Sequence, residues 1–364
     1  MEKAMKHYLK LVLVFISTGL FLLIAFSYWL DPYGIYLHSS DTFPRKIAAA
    51  DKGRTVKPYQ VMHAAPYTLL IGNSRIELGM PFEHPFYQDK PVYNMGLPGA
   101  GITMQYDYAK HAIANNDSIK QIVIALDFLD FTSRANHINT QVDNSSWRWR
   151  LTSDDNAKSL TEKRHYYAER MSLLFSLTAI VDSISTVTLQ SNNVNALNRF
   201  GFNDGKLYQF HVAAEGFGAL YQQKAEELDN SLSNKQLVFA KNSYHLNKLD
   251  NFLDLLKQNN ITVFLLINPY QKPYLDKIKQ HKLDSHFIVW KQELASLAAQ
   301  HQLMLFDYAI RSHLVNEVVS TQSRDAEDSP YFWEPAHYRP AFGNLILDSL
   351  LTGNCHDLCH IYND

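Results

Sequence analysis

The sequence has little cysteine and no excess of charge of either sign. Its two cysteines, Cys355 and Cys359, both lie within the last ten of its 364 residues. This scarcity excludes a small fold held together by disulfides and a zinc module with several cysteine ligands. The 34 basic and 36 acidic side chains give a net charge of −2, so no basic surface field points to nucleic acid.

Apolar residues, in contrast, are abundant. They make up 46% of the chain, and 13% of all residues are aromatic. This composition predicts a folded globular protein with a sizeable core rather than a disordered chain. The length indicates about two domains, or one larger domain with an insertion.

Residues 11–30 form an uncharged run that is long enough, as a helix, to cross about 30 Å of hydrocarbon. Three lysines precede this run: Lys3, Lys6 and Lys10. Tyr28 and Trp29 close it as interfacial aromatic residues. We therefore predict a single transmembrane helix, with residues 1–10 as a cytoplasmic tail and the rest on the far side. The alternative is a cleaved signal peptide, whose apolar stretch is usually shorter, about 7–15 residues, and ends in small residues.

The remainder of the chain alternates between short apolar runs and helical patterns. Residues 31–65, rich in proline, glycine and charge, are predicted to form a linker or neck. Residues 66–350 are typical of an α/β domain with a mostly parallel sheet. A polar stretch at about 131–240 interrupts the pattern and is interpreted as a helical insertion, and residues 351–364 form a tail. The predicted strands are residues 67–71, 91–94, 121–128, 261–268 and 303–307.

A serine follows the first predicted strand, in the turn Gly72-Asn73-Ser74-Arg75. Functional residues of open α/β sheets gather at the carboxyl ends of the strands. If a helix begins here, its N–H groups and positive dipole end favour a developing anion beside the serine hydroxyl. The competing interpretation is that Ser74 is an N-cap, a position in which serine is among the favoured residues.

A second motif, Glu334-x-x-His337, follows the last predicted strand. A serine hydroxyl is a weak nucleophile until a base removes its proton, and a carboxylate usually orients that base. On a tight turn or a first helical turn, a carboxylate three residues before a histidine reaches its imidazole. The alternative is that His337 is an ordinary surface or packed histidine, one of sixteen in the chain.

Three segments in this order resemble the SGNH (GDSL-type) hydrolase superfamily. They are LLIGNSR at 69–75, YNMGLPGAG at 93–101 and EPAHY at 334–338. They are most similar to the membrane-anchored branch associated with acylation of bacterial cell-envelope polysaccharides. The resemblance implies a three-layer α/β/α fold, an inner-membrane anchor and a periplasmic domain. It also implies ester chemistry with Ser74 as nucleophile, His337 as base and Glu334 as the orienting carboxylate, without a metal or an organic cofactor.

The resemblance further implies that the backbone N–H groups of Ser74 and Gly96 hold the oxyanion. The family's third donor is an Asn side chain after the third strand, but here that place reads LDFLDF, with Asp127 and Asp130. A missing donor of this kind costs roughly 10²–10³ in rate. Two asparagines are candidate substitutes: Asn268, after the next strand, and Asn73, beside the nucleophile.

Other residues near these motifs have two interpretations each. Arg75 either binds an anionic or acyl-bearing part of the substrate or serves as a structural ion-pair partner. Three aromatic residues either stack on sugar rings or pack in the core: Tyr270, Trp333 and Tyr338. The spacing of Cys355 and Cys359 is one residue too long for the common haem signature. In an oxidising compartment we expect a local disulfide between them instead.

The sequence therefore predicts a membrane-anchored serine esterase or O-acyltransferase. Its expected substrates are acyl esters, chiefly acetyl esters, of envelope or exported polysaccharide, and its candidate partners are envelope polysaccharide-assembly proteins. The alternative is a catalytically degenerate SGNH-like scaffold that binds polysaccharide or partner membrane proteins. The absent third-block Asn and the large insertion motivate that alternative.

Overall fold

The structure, a computed structural model, describes residues 2–36, 38–134, 147–151, 159–233, 237–318, 320 and 322–363. The predicted insertion at about 131–240 is therefore described in part. Within it, residues 135–146, 152–158 and 234–236 lie outside the described residues.

A six-stranded, mostly parallel sheet forms the centre of the domain. The described strands are β1 (Thr68–Ile71), β2 (Val92–Asn94), β3 (Gln121–Leu126), β4 (Ser133–Arg134), β5 (Leu237–Val238), β6 (Thr262–Ile267), β7 (Leu305–Asp307), β8 (Phe332–Glu334), β9 (His337–Tyr338) and β10 (His360–Tyr362). The strand order in the sheet is β10-β7-β6-β3-β1-β2, and only β10 runs antiparallel to its neighbour. The predicted α/β class with a mostly parallel sheet is confirmed.

Helices precede and follow the strands. They are α1 (Glu2–Leu30), α2 (Ile47–Asp51), α3 (Gly53–Ala64), α4 (Ser74–Gly79), α5 (Ile102–Asn115), α6 (Leu160–Phe175), α7 (Leu177–Thr188), α8 (Lys206–Glu215), α9 (Phe217–Ser233), α10 (Tyr244–Gln258), α11 (Lys272–Gln280), α12 (Asp284–Gln300) and α13 (Pro340–Thr352). All ten residues of β1 and β3 are buried, and seven of them are Leu, Ile or Val, as expected for parallel strands covered on both faces. One continuous apolar core surrounds the sheet.

The parallel strands bring the candidate site residues to one edge of the sheet. β1 lies between β2 and β3, with Leu70 paired to Asn94 on one side and to Val123 on the other. The segments that follow these three strands, and the one that follows β6, therefore emerge at the same edge.

The N-terminal helix α1 is long and apolar enough to cross a membrane. Most of its side chains are exposed, and only Ser27 and Leu30, near its C-terminal end, are buried. The Nζ group of Lys46 donates to the carbonyl oxygen of Leu30 at 3.1 Å, and the Asp31 carboxylate accepts the N–H of Ile35 at 2.9 Å. These contacts join the end of α1 directly to the rest of the domain.

Residues 31–65 differ from the predicted linker. They contain α2 and α3, and α3 buries Val56, Tyr59 and Val61. A second apolar cluster includes Tyr33, Val56 and Tyr59 from this segment and Leu173 from α6. The segment lacked an obvious apolar period because α3 also buries polar side chains, which have partners elsewhere in the fold.

The described part of the insertion is largely helical. It contains α6 to α9, and the short antiparallel pair β4–β5 joins its two ends. The C-terminal tail was not predicted to be a strand, yet its residues 360–362 form β10 at the sheet edge. The predicted disulfide between Cys355 and Cys359 is confirmed and lies just before this strand.

Candidate active site

The candidate nucleophile lies at the start of α4. Asn73, which precedes it, is the N-cap, because its Oδ1 accepts the backbone N–H of Arg75 at 3.0 Å. Ser74 is thus the first residue of the helix, and its hydroxyl is not used for capping. Its backbone N–H has no acceptor within the helix, as for every residue in a first turn.

The candidate base lies on a β-hairpin. β8 and β9 are joined by the two-residue turn Pro335-Ala336, so Glu334 and His337 are directly paired across the hairpin. Paired residues of an antiparallel hairpin project their side chains from the same face. The Glu334 carboxylate accepts a hydrogen bond from His337 Nδ1, and its second oxygen accepts the N–H of Ala336 at 2.9 Å. The i, i+3 spacing in the sequence therefore corresponds to a tight turn.

Glu334 is fully buried. Burial would raise the pKa of Glu334, but the adjacent His337 ring, the Ala336 N–H and the Arg75 guanidinium together lower it. A buried carboxylate held in this way fixes the imidazole tautomer, with the proton on Nδ1 and the lone pair on Nε2.

The hairpin and α4 bring the serine and the histidine together. The Ser74 Oγ lies 2.7 Å from His337 Nε2, which is hydrogen-bond distance for a nucleophile and its base. Both side chains remain partly accessible to solvent, whereas Glu334 behind them does not. Gly79, at the end of α4, permits this approach, because a Cβ atom there would lie 2.1 Å from the ring of Tyr338.

The predicted oxyanion donors differ in whether their N–H hydrogens are already bonded to other acceptors. The N–H of Gly96 donates to the Oδ1 of Asn94 at 2.9 Å, so its single hydrogen is already used. Asn268 is fully buried, and its amide donates to the carbonyl oxygen of Leu126 at 3.3 Å. The amide of Asn73 donates to Asp130 at 3.2 Å, which leaves its second N–H hydrogen for another acceptor.

Arg75 has a structural role. Its guanidinium forms a buried ion pair with Asp127 and lies 5.0 and 5.1 Å from the ring centroids of Tyr270 and Tyr274. Its Nε donates to the carbonyl oxygen of Ala336 at 2.7 Å. Of the two interpretations of Arg75, the ion-pair partner is the one that these contacts favour.

The two acidic residues after β3 do not present free negative charge to Ser74. Asp127 is neutralised by Arg75. Asp130 accepts hydrogen bonds from Gln105 at 2.8 Å and from Asn73 at 3.2 Å. Removal from water and the nearby Asp127 carboxylate raise the pKa of Asp130.

Lys57, from the segment predicted to be a linker, connects the Gly96 loop to α4 through buried hydrogen bonds. It is fully buried and donates to the Glu77 carboxylate at 2.8 Å and to the carbonyl oxygen of Gly96 at 2.6 Å. Burial lowers the pKa of Lys57, and the Glu77 carboxylate opposes that shift. Lys57 thereby holds the Gly96 loop against α4, where a Cβ on Gly96 would lie 2.7 Å from the backbone nitrogen of Glu77.

Tyr208, from α8 of the insertion, packs beside the imidazole ring of His337. Its hydroxyl lies 3.5 Å from His337 Nδ1, and its ring centroid lies 5.9 Å from that of the imidazole. Burial and the negative charge of Glu334 raise the pKa of Tyr208, so the hydroxyl stays protonated. Sequence reasoning missed Tyr208 and Lys57 because only the fold brings these distant segments to the sheet edge.

The three aromatic residues considered for sugar stacking are core residues. Tyr270 and Tyr338 are 0% exposed and Trp333 is 3% exposed, so none presents a ring face to a polysaccharide. Among the described residues, no group of three or more His, Cys, Asp or Glu side chains is arranged to hold a metal ion.

No protein-family model matches the chain, and no curated protein matches it. The structure brings Ser74, His337 and Glu334 into one hydrogen-bonded chain, with Asn73 and Arg75 beside it. The Gly96 N–H and the Asn268 amide instead have partners of their own.

Proposed function

We propose that the protein is an SGNH-type serine esterase or O-acyltransferase, anchored by α1 with its α/β domain outside the cytoplasm. The observation that carries the proposal is the 2.7 Å contact of Ser74 Oγ with His337 Nε2, together with the bond from His337 Nδ1 to Glu334. A serine, a base and an orienting buried carboxylate in this order are the parts that nucleophilic acyl transfer needs.

The reaction proceeds in two steps. In the first, Ser74 Oγ attacks the carbonyl carbon of an ester while His337 Nε2 takes the hydroxyl proton, giving a tetrahedral oxyanion. The intermediate collapses, the C–O bond to the alcohol breaks, and His337 returns the proton to the departing oxygen. In the second step, water or a sugar hydroxyl attacks the acyl-serine, with His337 again acting as base. Water as acceptor releases a carboxylic acid, and a sugar hydroxyl gives a new ester.

Two groups stabilise the oxyanion. The N–H of Ser74 lies at the N-terminus of α4, where the helix dipole favours negative charge, although α4 is short. The second amide hydrogen of Asn73 is the other donor, in place of the Gly96 N–H, which is bonded to Asn94. The neutralisation of Asp127 by Arg75 supports this assignment because it removes a charge that would repel the oxyanion.

The substrate class is proposed from the motif resemblance: acetyl or other acyl esters of an envelope or exported polysaccharide. Partly accessible Ser74 and His337 side chains are compatible with a polymer that reaches the site from solvent. The test uses the full chain in detergent, because Ser27 and Leu30 of α1 are buried in the domain. Acetate release from an O-acetylated polysaccharide and from an aryl acetate would be measured, with and without a sugar acceptor.

Ser74→Ala and His337→Ala are expected to abolish acetate release. Ser296→Ala, an exposed serine on α12, and His281→Ala, whose ring pairs with Asp229 at 2.9 Å, are matched controls and should retain it. Acetyl groups that move to the acceptor rather than to water would identify the transferase. Unchanged release by Ser74→Ala would contradict the proposal.

A second candidate function is a glycan- or protein-binding scaffold without catalysis. The bond from Gly96 N–H to Asn94 Oδ1 favours it, because an implied oxyanion donor is engaged. The acids Asp127 and Asp130 in place of the third-block Asn favour it as well. Retained binding of the O-acetylated polysaccharide, with no acyl transfer and no effect of Ser74→Ala, would support this function.

A further inference from the structure

Helix α7, the second helix of the bent pair α6–α7, has an inverted distribution of apolar and polar residues. The buried side chains of α7 are small or polar: Ala179, Ser183 and Thr186. Its outer face instead exposes Leu177 by 80%, Val181 by 59% and Ile184 by 52%. A water-exposed helix normally buries its apolar stripe and exposes its polar one. Large contiguous apolar patches on a surface mark an interaction site.

The opposite, buried face of α7 packs against α1, the proposed membrane span. Both α6 and α7 contact α1, and Ser183 Oγ donates to the Oγ of Ser27 at 3.2 Å. Small residues at such a contact let two helices approach closely, as they do within membranes. Ser27 lies three residues before the end of the uncharged run at residues 11–30, which corresponds to about 5 Å along the helix.

Polar contacts before and after the bend between α6 and α7 hold the two helices to the domain. Before the bend, Glu169 of α6 pairs with Arg150 at 2.8 Å and accepts from Tyr59 at 2.9 Å. After it, Asp182 of α7 pairs with Lys52 at 2.6 Å. Between these two ion pairs, residues 171–181 contain the 47° bend between the two helices and no charged side chain.

Residues 171–181 form an apolar tip with four exposed apolar side chains, whereas its Leu173, Leu174 and Ala179 are buried. Met171 is exposed by 56% and Phe175 by 39%, in addition to Leu177 and Val181. Both ends of the helix pair are held by the same domain. A tip that enters the membrane must therefore return to the side from which it entered. This arrangement fits a segment that inserts into the membrane–water interface, and it does not fit a second helix that crosses the whole membrane.

We propose that the apolar tip and the outer face of α7 insert into the lipid leaflet next to the domain, alongside α1. The occupant of this face is the acyl-chain and headgroup boundary of the same bilayer. Interfacial helices bury their apolar faces about 5–10 Å deep, which agrees with the level of Ser27 on α1. The aromatic rings of Tyr28 and Trp29 lie at the same level, exposed by 43% and 55%, as interfacial aromatic residues do.

Insertion fixes the orientation of the domain. A single helix leaves a domain free to rotate about its axis, whereas a second contact holds the sheet edge in one direction relative to the surface. The inference rests on the proposed membrane span by α1 and is independent of the ester chemistry at Ser74.

The test places a single environment-sensitive fluorophore on the full chain in lipid vesicles. Because Cys355 and Cys359 are bonded to each other, an added cysteine is labelled selectively under non-reducing conditions. The labelled variants are Leu177→Cys on the tip, Val14→Cys within α1, and Ile288→Cys on α12. The last is a matched control, since Ile288 is an apolar residue exposed by 54% far along the chain. Val181→Cys provides a second site on the tip.

The label at position 177 should emit at shorter wavelength than the label at 288. It should lose fluorescence to a lipid-borne quencher placed near the headgroups and be protected from aqueous iodide. The label at position 14 should be quenched by a lipid-borne quencher at mid-bilayer depth, and the label at 288 by iodide alone.

If positions 177 and 181 respond to iodide as position 288 does, while position 14 responds to lipid, the inference is wrong and the anchor stands. Protection of 177 from both quenchers would mean that protein covers the face, which also overturns it. A label at 14 that lipid does not quench would remove the anchor itself. Labelling of Ser74 by a serine-directed probe reports separately on the ester chemistry.

Discussion

Arg75 Nε donates a 2.7 Å hydrogen bond to the carbonyl oxygen of Ala336. Arg75 directly follows the candidate nucleophile Ser74, and Ala336 directly precedes the candidate base His337. The bond therefore ties the serine-bearing helix to the histidine-bearing turn. Asp127, at the end of β3, pairs with the same guanidinium, so three segments meet at one buried cation.

This arrangement predicts strong coupling between Arg75 and Asp127. Asp127→Leu leaves a buried cation without its partner and should lower the free energy of unfolding by about 3–5 kcal/mol. The double variant Arg75→Met/Asp127→Leu should lose clearly less than the sum of the two single changes. Urea denaturation of the four proteins measures the coupling, and additive losses would contradict it.

Arg75→Lys keeps the charge but lacks the planar fork that serves both Asp127 and the Ala336 carbonyl. As a positioning residue, Arg75 should affect kcat more than KM. A steady-state comparison with the wild type checks this expectation. A change confined to KM would indicate that Arg75 binds substrate instead.

Glu334→Gln should reduce kcat roughly 10⁴-fold, the size of effect seen when the orienting carboxylate of a triad becomes an amide. The amide still accepts the Ala336 N–H bond, so the hairpin should keep its stability. Asp250→Asn is a matched control, because Asp250 pairs with His301 at 2.7 Å away from any role proposed here. Equal activity of Glu334→Gln and the wild type would contradict the assignment of Glu334.

The raised pKa of Asp130 should make the free energy of unfolding depend on pH. Its pKa is raised above the ordinary value by burial and by Asp127, so the folded chain binds a proton that the unfolded chain releases at lower pH. This stabilisation is complete below about pH 4 and is lost as pH rises, by up to about 1.4 kcal/mol per pH unit.

Asp130→Asn imitates the protonated form, because its amide oxygen can still accept from Asn73 and Gln105. The variant should therefore lose less stability than the wild type as the pH is raised. Denaturation at a series of pH values compares the two slopes. Identical slopes would show that Asp130 does not titrate in this way.

Local patterns predicted the mostly parallel sheet and restricted the relative placement of Glu334 and His337. The runs at 67–71 and 121–128 were apolar enough to indicate buried parallel strands, and β1 and β3 lie within them. The spacing of Glu334 and His337 restricted both residues to one turn. Such features depend on neighbours in sequence, which is why they could be recognised.

Residues that act across the fold could not be predicted in this way. Lys57 looked like part of a charged linker, although its charge is balanced by Glu77, twenty residues further on. The engagement of the Gly96 N–H by Asn94 depends on a loop conformation that the motif does not specify. Tyr208 reaches the histidine only because the insertion folds back over the sheet edge.

Covalent labelling of Ser74 tests directly whether this serine is a nucleophile activated by His337. The full chain in detergent would be treated with a fluorophosphonate probe, and the adduct would be located by mass spectrometry. We expect stoichiometric labelling of Ser74 in the wild type and in Ser296→Ala, and none in Ser74→Ala or His337→Ala. A folded wild-type protein that is not labelled at Ser74 would contradict this expectation and would favour the scaffold.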